Sequence, residues 1–151
     1  MKTINGDLVK LALDNEFDVI VQGCNCMCQM GKGIALTIKM IFPEAYAVDC
    51  LTEKGDVHKL GTISVADVQV NGKPLSIVNA YTQYSWKGEG ILADYNAIEA
   101  ALKLVKQQFT GKRIGLPKIG AQLARGDWDV ISTIIKDTLE GEDYTVVIFT
   151  P

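Results

Sequence analysis

The sequence lacks any hydrophobic run that approaches the roughly 20 residues needed to span a membrane. Its first residues, from Met1 to Asp7, have no apolar core of the kind found in secretory signals. Only four cysteines are present, and their uneven clustering does not match a secreted disulfide framework. A chain of 151 residues, 48% of them hydrophobic, can bury a core without such cross-links. We therefore expect one soluble, cytoplasmic domain over residues 1–151.

The chain also lacks a block of basic residues. It has 15 lysines and arginines against 18 aspartates and glutamates, which gives a net charge of -3. Binding to long nucleic acid normally needs a concentrated positive stripe that releases counterions, so we expect no such partner. A small anionic ligand remains open, because backbone amides at the start of a helix can hold a phosphate without net positive charge.

One segment, QGCNCMCQMGKGIA at residues 22–35, concentrates three cysteines and three glycines. Cys24, Cys26 and Cys28 are spaced C-x-C-x-C, whereas structural zinc usually uses C-x₂₋₄-C pairs with further ligands. The lone histidine lies in another segment, and no C-x-x-C redox pair occurs. Two interpretations are left: a tight turn packed with small residues, or a loop whose amides hold an anion. We expect no metal and no cofactor.

Hydrophobic periodicity and turn signals predict elements in the order β-α-β-α-α-β-β-α-β-α-β. Asn71-Gly72 is a hairpin signal, and Asp7, Asp94 and Asp127 are predicted helix N-caps. Such alternation predicts an α/β fold, a three-layer α-β-α sandwich with a mixed, mostly parallel sheet. The predicted strands cover 2–5, 17–22, 61–70, 74–80, 113–116 and 144–149, and the helices cover about 7–13, 31–42, 43–54, 92–109 and 127–139.

Ligands of open α/β sheets bind outside the carboxyl ends of the strands. The loops that follow the strands ending at Gln22, Ala80 and Leu116 should therefore meet at one crevice. Two of these loops are rich in glycine: one contains Gly31-Lys32-Gly33, and the other spans residues 115–128. Each precedes a predicted helix. Either loop alone fits a packing role, but two in one crevice suit a diphosphate.

Five segments along the chain carry a family resemblance: NGDL at 5–8, CNCMCQMGKGIALTIKMIFPEAY at 24–46, KLGTISV at 59–65, IVNAYTQ at 77–83 and LPKIGAQLARGDW at 116–128. Together they resemble a macro domain, the ADP-ribose-binding module. Within that family the sequence is most similar to the phage and yeast-type ADP-ribose 1″-phosphate phosphatase branch, with kinship to the ADP-ribosylglutamate hydrolase branch. The resemblance implies the macro domain fold and ADP-ribose or ADP-ribose 1″-phosphate as partner. We expect a monomer, in the host cytoplasm if a phage encodes it.

The resemblance also implies roles for individual residues. Asp7 would accept a hydrogen bond from the adenine amino group while capping its helix, and Leu8 would lie beside it. Phe149 would pack on adenine or ribose, and Asn25 would lie beside the distal ribose. Two loops would hold the phosphates, the first with Gly31, Lys32, Gly33, Ile34 and Ala35 and the second with Pro117, Ile119, Gly120, Ala121, Gln122, Leu123 and Ala124.

Charged and aromatic side chains near these loops are further candidates. Lys32, Lys118 and Arg125 are possible charge partners for phosphate, although loop lysines are usually only solvated. Tyr81, Tyr84 and Trp86 are expected to form a wall over the distal ribose, or to be ordinary surface aromatics.

Departures from the family pattern bear on the chemistry. Thr82-Gln83 and Ala124 stand where some hydrolase relatives have a lysine and an aspartate. Gln22 stands where phosphatase relatives often have a histidine. Glutamine cannot act as a general base near neutral pH, so any catalysis has to come from placement and electrostatics.

The predicted activity is hydrolysis of the terminal phosphate of ADP-ribose 1″-phosphate. Asn25 and Gln22 would position a water while loop amides stabilise the phosphate charge. Asp127 would be an acid or base, or only the cap of its helix. Two alternatives remain: release of ADP-ribose from a modified protein or nucleic acid, and binding of ADP-ribose without turnover.

Overall fold

The structure, a computed structural model, describes residues 1–150 as a central sheet with helices on both faces. The strands are β1 (Lys2–Gly6), β2 (Val19–Asn25), β3 (Ile63–Val70), β4 (Lys73–Gln83), β5 (Arg113–Leu116) and β6 (Asp143–Phe149). The helices are α1 (Leu8–Leu13), α2 (Gly33–Ile41), α3 (Pro43–Cys50), α4 (Tyr95–Phe109) and α5 (Trp128–Thr138), with a 3₁₀ turn at Val57–Lys59.

The strands are ordered β1-β6-β5-β2-β4-β3 across the sheet. Every neighbouring pair is parallel except β3 and β4, which form an antiparallel hairpin. This arrangement confirms the predicted mixed, mostly parallel sheet. No helix within residues 1–150 is both long and apolar enough to cross a membrane.

Two adjacent residues of β2 show how the layers form. Ile20 and Val21 are both fully buried but point to opposite faces of the sheet, as successive strand residues must. Ile20 shares a core cluster with α1, α2 and α3, and Val21 shares another with α4 and α5. The helices contribute Leu8, Ile38 and Ala45 to the first cluster and Ile98, Leu102 and Ile131 to the second.

Local turn and cap chemistry follows the sequence predictions. Asp7, Asp94 and Asp127 each accept a hydrogen bond from a backbone amide in the first turn of α1, α4 and α5. Asn71 and Gly72 both have positive φ, 53° and 76°, which a type I′ hairpin turn requires.

Two predicted strands end too early. β2 continues to Asn25 rather than stopping at Gln22, and β4 continues to Gln83 rather than stopping at Ala80. The two strands pair with each other along this extra length, and the backbone hydrogen bonds of the pair outweigh the weak strand propensity of cysteine and asparagine. Helices α2 and α4 correspondingly begin later than predicted, at Gly33 and Tyr95.

Candidate functional site

A cleft of about 850 Å³ lies at the carboxyl edge of β2, β4 and β5. Its walls come from three segments: the first loop (residues 26–32), the second loop (residues 117–126) and the aromatic segment (residues 84–92). The cleft is lined by Gly23, Cys24, Asn25, Gln29, Gly31, Lys32, Gly33, Ile34, Ala35, Gln83, Trp86, Pro117, Lys118, Ile119, Gly120, Gln122, Leu123 and Ala124.

The first loop is shaped by Asn25, the last residue of β2. Its Nδ2 donates to the Gln29 carbonyl at 3.0 Å, and its Oδ1 accepts from the Met27 amide at 2.9 Å. The loop then leads into α2, whose N-cap, Lys32, makes no side-chain capping bond. The first amides of a helix have no partner within the helix, so this turn can present donors and the positive end of the helix dipole to an anion.

Glycines of the second loop are required by close packing. A Cβ on Gly120 would lie 2.9 Å from Ile98 Cδ1, and Gly120 also has a positive φ of 75°. A Cβ on Gly126 would lie 2.5 Å from the Gly120 carbonyl oxygen, which accepts a 2.7 Å hydrogen bond from the Gly126 amide. The loop is therefore held closely against the core.

Arg125 links the second loop to the aromatic segment. It has a positive φ of 61°, and its Nη2 donates to the Gly88 carbonyl at 2.7 Å. Trp86 lies in the same segment, is half exposed, and has the Lys87 ammonium over its ring at 4.6 Å. Arg125 therefore acts on the wall of the cleft and does not line the cleft itself.

A buried lysine stabilises the first loop by a hydrogen bond to its backbone. Lys59 Nζ donates to the Cys26 carbonyl at 3.1 Å and lies 4.7 Å from the centroid of the Tyr81 ring. Tyr81 in turn donates its hydroxyl to Asp49 at 2.7 Å, and burial raises the pKa of the Asp49 carboxyl. Sequence reasoning missed this cluster, because neither Lys59 nor Asp49 stands in a pattern that predicts burial.

Few groups that line the cleft can titrate. Among residues 1–150, the ionisable side chains that line it belong to Lys32, Lys118 and Cys24. Burial raises the pKa of the Cys24 thiol well above its usual value, so Cys24 is neither a thiolate nucleophile nor a ready base. The cleft of the described chain thus offers hydrogen-bond donors, amides and two cations, but no carboxylate or imidazole.

The three cysteines of the C-x-C-x-C motif pack in the interior of the protein. Cys24, Cys26 and Cys28 are free and buried, and the Cys28 sulfur contacts the carbonyl of Asp49 at 3.4 Å. No cluster of three or more histidine, cysteine or acidic side chains with the geometry of a metal site occurs in the part of the chain that the structure covers.

Two residues predicted for catalysis lie outside the cleft. Gln22 is 0% exposed in the middle of β2, where its Nε2 donates to Asn79 Oδ1 at 2.9 Å. This placement argues against the expectation that Gln22 positions a water in the cleft, because the strand runs past it to Asn25. Asp127 caps α5 through a 2.9 Å bond from the Asp129 amide and does not line the cleft, which favours its structural role.

Four residues predicted to bind the ligand also lie outside this cleft. Ala121, a residue of the second loop, packs against the core. Leu8 has its side chain in the core, but it is the first residue of α1 and its amide has no partner within the helix. Asp7 and the exposed Phe149 stand at the ends of β1 and β6, beyond β5 on one side of the cleft. Tyr81, expected in an aromatic wall, is buried instead.

Four lining residues had no predicted role, namely Gly23, Cys24, Gln29 and Gln83. Gly23 and Cys24 form part of the floor only because β2 extends beyond Gln22. The isolated glycine in a strand pattern is the signal that could have located this floor, since it marks a close approach of other groups to the backbone.

No protein-family model matches the chain. An uncharacterised 17.5 kDa protein of phage T4, encoded in the tk-vs intergenic region, is 34% identical over 153 residues, which cover 98% of this chain and 95% of the phage protein. A DNA ADP-ribosyl glycohydrolase of Mycobacterium tuberculosis is 28% identical over 97% of this chain. The chain spans only 41% of that enzyme's length.

Solved structures share the fold. The macrodomain of Mycobacterium tuberculosis DarG superposes with a TM-score of 0.73 at 23% identity, over 99% of this chain and 97% of that one. Thermosipho africanus DarTG, in complex with ADP-ribose, gives a TM-score of 0.75 at 18% identity, over 99% of this chain and 41% of that one.

Proposed function

We propose, from the premise that this chain belongs to one family with the phage T4 17.5 kDa protein and has the macrodomain fold, that its cleft binds ADP-ribose. One observation carries the proposal: two glycine-bearing loops, distant in sequence, line a single cleft. A pyrophosphate between them would accept hydrogen bonds from amides of both loops and from the start of α2. Lys32 and Lys118 add positive charge at the same place.

We infer the orientation of the ligand in the cleft from the strand order. β5 and β2 lie at the centre of the cleft, with β6 and β1 on one side and β4 on the other. The adenosine half of ADP-ribose would extend toward Asp7, Leu8 and Phe149 at the ends of β1 and β6. The distal ribose would then lie near Asn25 and beneath Trp86, on the side of β4.

Calorimetric titration with ADP-ribose tests binding, with ADP as the ligand that lacks the distal ribose. A second measurement follows the amide signals of both loops by NMR. Gly31→Leu is a suitable blocking variant, because a Cβ at Gly31 meets no atom within 4 Å and Gly31 lines the cleft. We expect the wild type to bind, and Gly31→Leu to fold normally and bind more weakly. Unshifted amides in both loops at millimolar ADP-ribose would overturn the proposal.

Hydrolysis at the distal ribose is the second candidate function. The observation in its favour is the similarity, over 97% of this chain, to an enzyme named DNA ADP-ribosyl glycohydrolase. Within residues 1–150 the cleft lacks a lining carboxylate or imidazole, so a water would have to be placed by Asn25 while loop amides stabilise developing charge. This chemistry applies to release of ADP-ribose from a macromolecule and to release of phosphate from ADP-ribose 1″-phosphate.

Turnover is tested by incubating the protein with ADP-ribose 1″-phosphate, with ADP-ribosylated DNA and with ADP-ribosylated protein. Phosphate release would identify the phosphatase, and release of ADP-ribose would identify the glycohydrolase or protein hydrolase. Either activity should fall in Asn25→Ala and persist in Asp127→Asn, because Asp127 caps α5 outside the cleft. Tight binding of ADP-ribose with no product in any assay would leave a binding module without turnover.

A further inference from the structure

Thr82 occupies an irregular position in the sheet at the edge of the cleft. In the pairing of β2 with β4, Cys24 is opposite Tyr81 and Asn25 is opposite Gln83, so Thr82 is the extra residue of a bulge. Bulges of this kind redirect side chains and are frequent beside active sites. The carbonyl of Thr82 is used, since it accepts a 2.8 Å hydrogen bond from the Asp94 amide.

The Thr82 hydroxyl, in contrast, has no partner. Thr82 is 1% exposed, and its Oγ1 makes no hydrogen bond to any group within residues 1–150. Leaving a buried hydroxyl unpaired is unfavourable, and native proteins rarely do so. The only other buried side-chain atom in this condition, over the same residues, is Gln22 Oε1 in the middle of the sheet.

The hydroxyl lies directly beneath the floor of the cleft. A Cβ on Gly23 would be 2.8 Å from Thr82 Oγ1 and 3.0 Å from Ile119 Cγ1, and both Gly23 and Ile119 line the cleft. Because residue 23 is glycine, no side chain from β2 occupies the space above the Thr82 hydroxyl. The Ile119 side chain is the group that lies against this space from the second loop.

We propose that Thr82 recognises the distal ribose by hydrogen-bonding its Oγ1 to a ribose hydroxyl, a role that rests on the proposed binding of ADP-ribose. Ile119 covers this space, so its side chain would have to rotate away for the ribose to reach the hydroxyl. The position fits, because Thr82 is on β4, on the side of the cleft opposite Asp7 and Phe149. The hydroxyl is then unpaired in the empty protein and paired in the complex, so it distinguishes ADP-ribose from ADP.

Thr82→Val tests this assignment, because valine keeps the β-branched shape and removes the hydroxyl. We expect the melting temperature of Thr82→Val to stay the same or rise, since an unpaired buried hydroxyl is lost. Its affinity for ADP-ribose should fall by about three- to tenfold, the usual worth of one hydrogen bond, while its affinity for ADP should not change. Thr82→Ser should restore binding of ADP-ribose.

The outcomes separate the two proposals. If the wild type does not bind ADP-ribose, the proposed function fails. If the wild type binds and Thr82→Val binds ADP-ribose equally well, the role of Thr82 fails while the proposed function stands. If Thr82→Val has a lower melting temperature and loses affinity for ADP and ADP-ribose equally, the hydroxyl has a structural role. That result would also overturn the assignment.

Discussion

The Cδ1 atom of Leu123 lies 3.3 Å from the position that a Cβ on Gly33 would take. The second loop therefore touches the first loop at the start of α2, across the cleft that both loops line. Leu123 is 66% exposed and contributes little to the core. Leu123 also lines the cleft, so it would lie beside a pyrophosphate bound between the loops, where it would exclude water and strengthen nearby hydrogen bonds.

Shortening Leu123 should weaken ligand binding with little effect on stability. Leu123→Ala removes the contact between the loops, so we expect a several-fold lower affinity for ADP-ribose by calorimetry. The free energy of unfolding should change by less than about 0.5 kcal/mol, as is usual for exposed positions. Leu51→Ala is a matched control, since Leu51 is 86% exposed and lies outside the cleft, and it should alter neither quantity.

Gly31 in the first loop and Gly33 at the start of α2 should respond differently to alanine. Gly33 has a φ of 59°, a conformation that costs an L-residue about 1 to 2 kcal/mol, and Leu123 occupies the adjoining space. Gly31 has no neighbour within 4 Å of its Cβ position. We expect Gly33→Ala to lower the free energy of unfolding in urea by that amount and Gly31→Ala to leave it unchanged. Equal losses in both variants would contradict this account of the loop.

Substitutions at Gln22 and at Gln83 should have opposite effects: one should lower stability and the other should lower ligand affinity. Gln22 donates to Asn79 inside the sheet, so Gln22→Leu leaves a buried acceptor unpaired and should cost about 1 to 3 kcal/mol of stability. Its affinity for ADP-ribose should remain unchanged. Gln83→Leu alters a residue that lines the cleft and should weaken binding while costing little stability. Lost binding in folded Gln22→Leu would show that Gln22 does contribute to the ligand site, against the argument from its burial.

The ion pair of Asp18 with Arg113 should make stability depend on pH far from the cleft. Hydrogen bonds from the Arg113 side chain, at 3.0 and 3.2 Å, hold the pKa of Asp18 below its usual value. A carboxyl whose pKa is lower in the folded state stabilises the protein above its unfolded pKa, and this contribution is lost as the pH falls through the folded pKa.

Asp18→Asn should therefore cost about 0.5 to 1 kcal/mol at pH 7, a modest figure because the pair is partly exposed. The difference from the wild type should shrink below pH 4 and vanish once Asp18 is protonated in the folded protein. Urea unfolding at several pH values measures it. A difference that is independent of pH would show that the carboxylate charge is not responsible.

The order of elements could be predicted because its signals are local. Asp7, Asp94 and Asp127 bond amides two or three residues away, and Asn71-Gly72 supplies the positive φ angles of its own turn. The end of β2 could not be predicted in this way. Its last residues are strand because β4 lies beside them, and pairing between distant segments leaves no mark on a short window of sequence.

The same distinction between local and long-range signals applies to the candidate site. Gly31, Gly33 and Gly120 were recognisable as loop glycines before helices or after strands. The floor at Gly23 and the burial of Gln22 depend on which strand residue is the last to be paired. Local signals thus located the walls of the cleft, while its floor required the tertiary structure.

The hydrogen bond from Arg125 to the Gly88 carbonyl joins the second loop to the aromatic segment at the rim of the cleft. Through Leu123 the second loop meets the first, and through Arg125 it holds the segment that carries Trp86. The second loop is therefore in contact with both other walls of the cleft. Trp86 therefore stands on a segment that is anchored to the second loop only two residues away, at the Gly88 carbonyl.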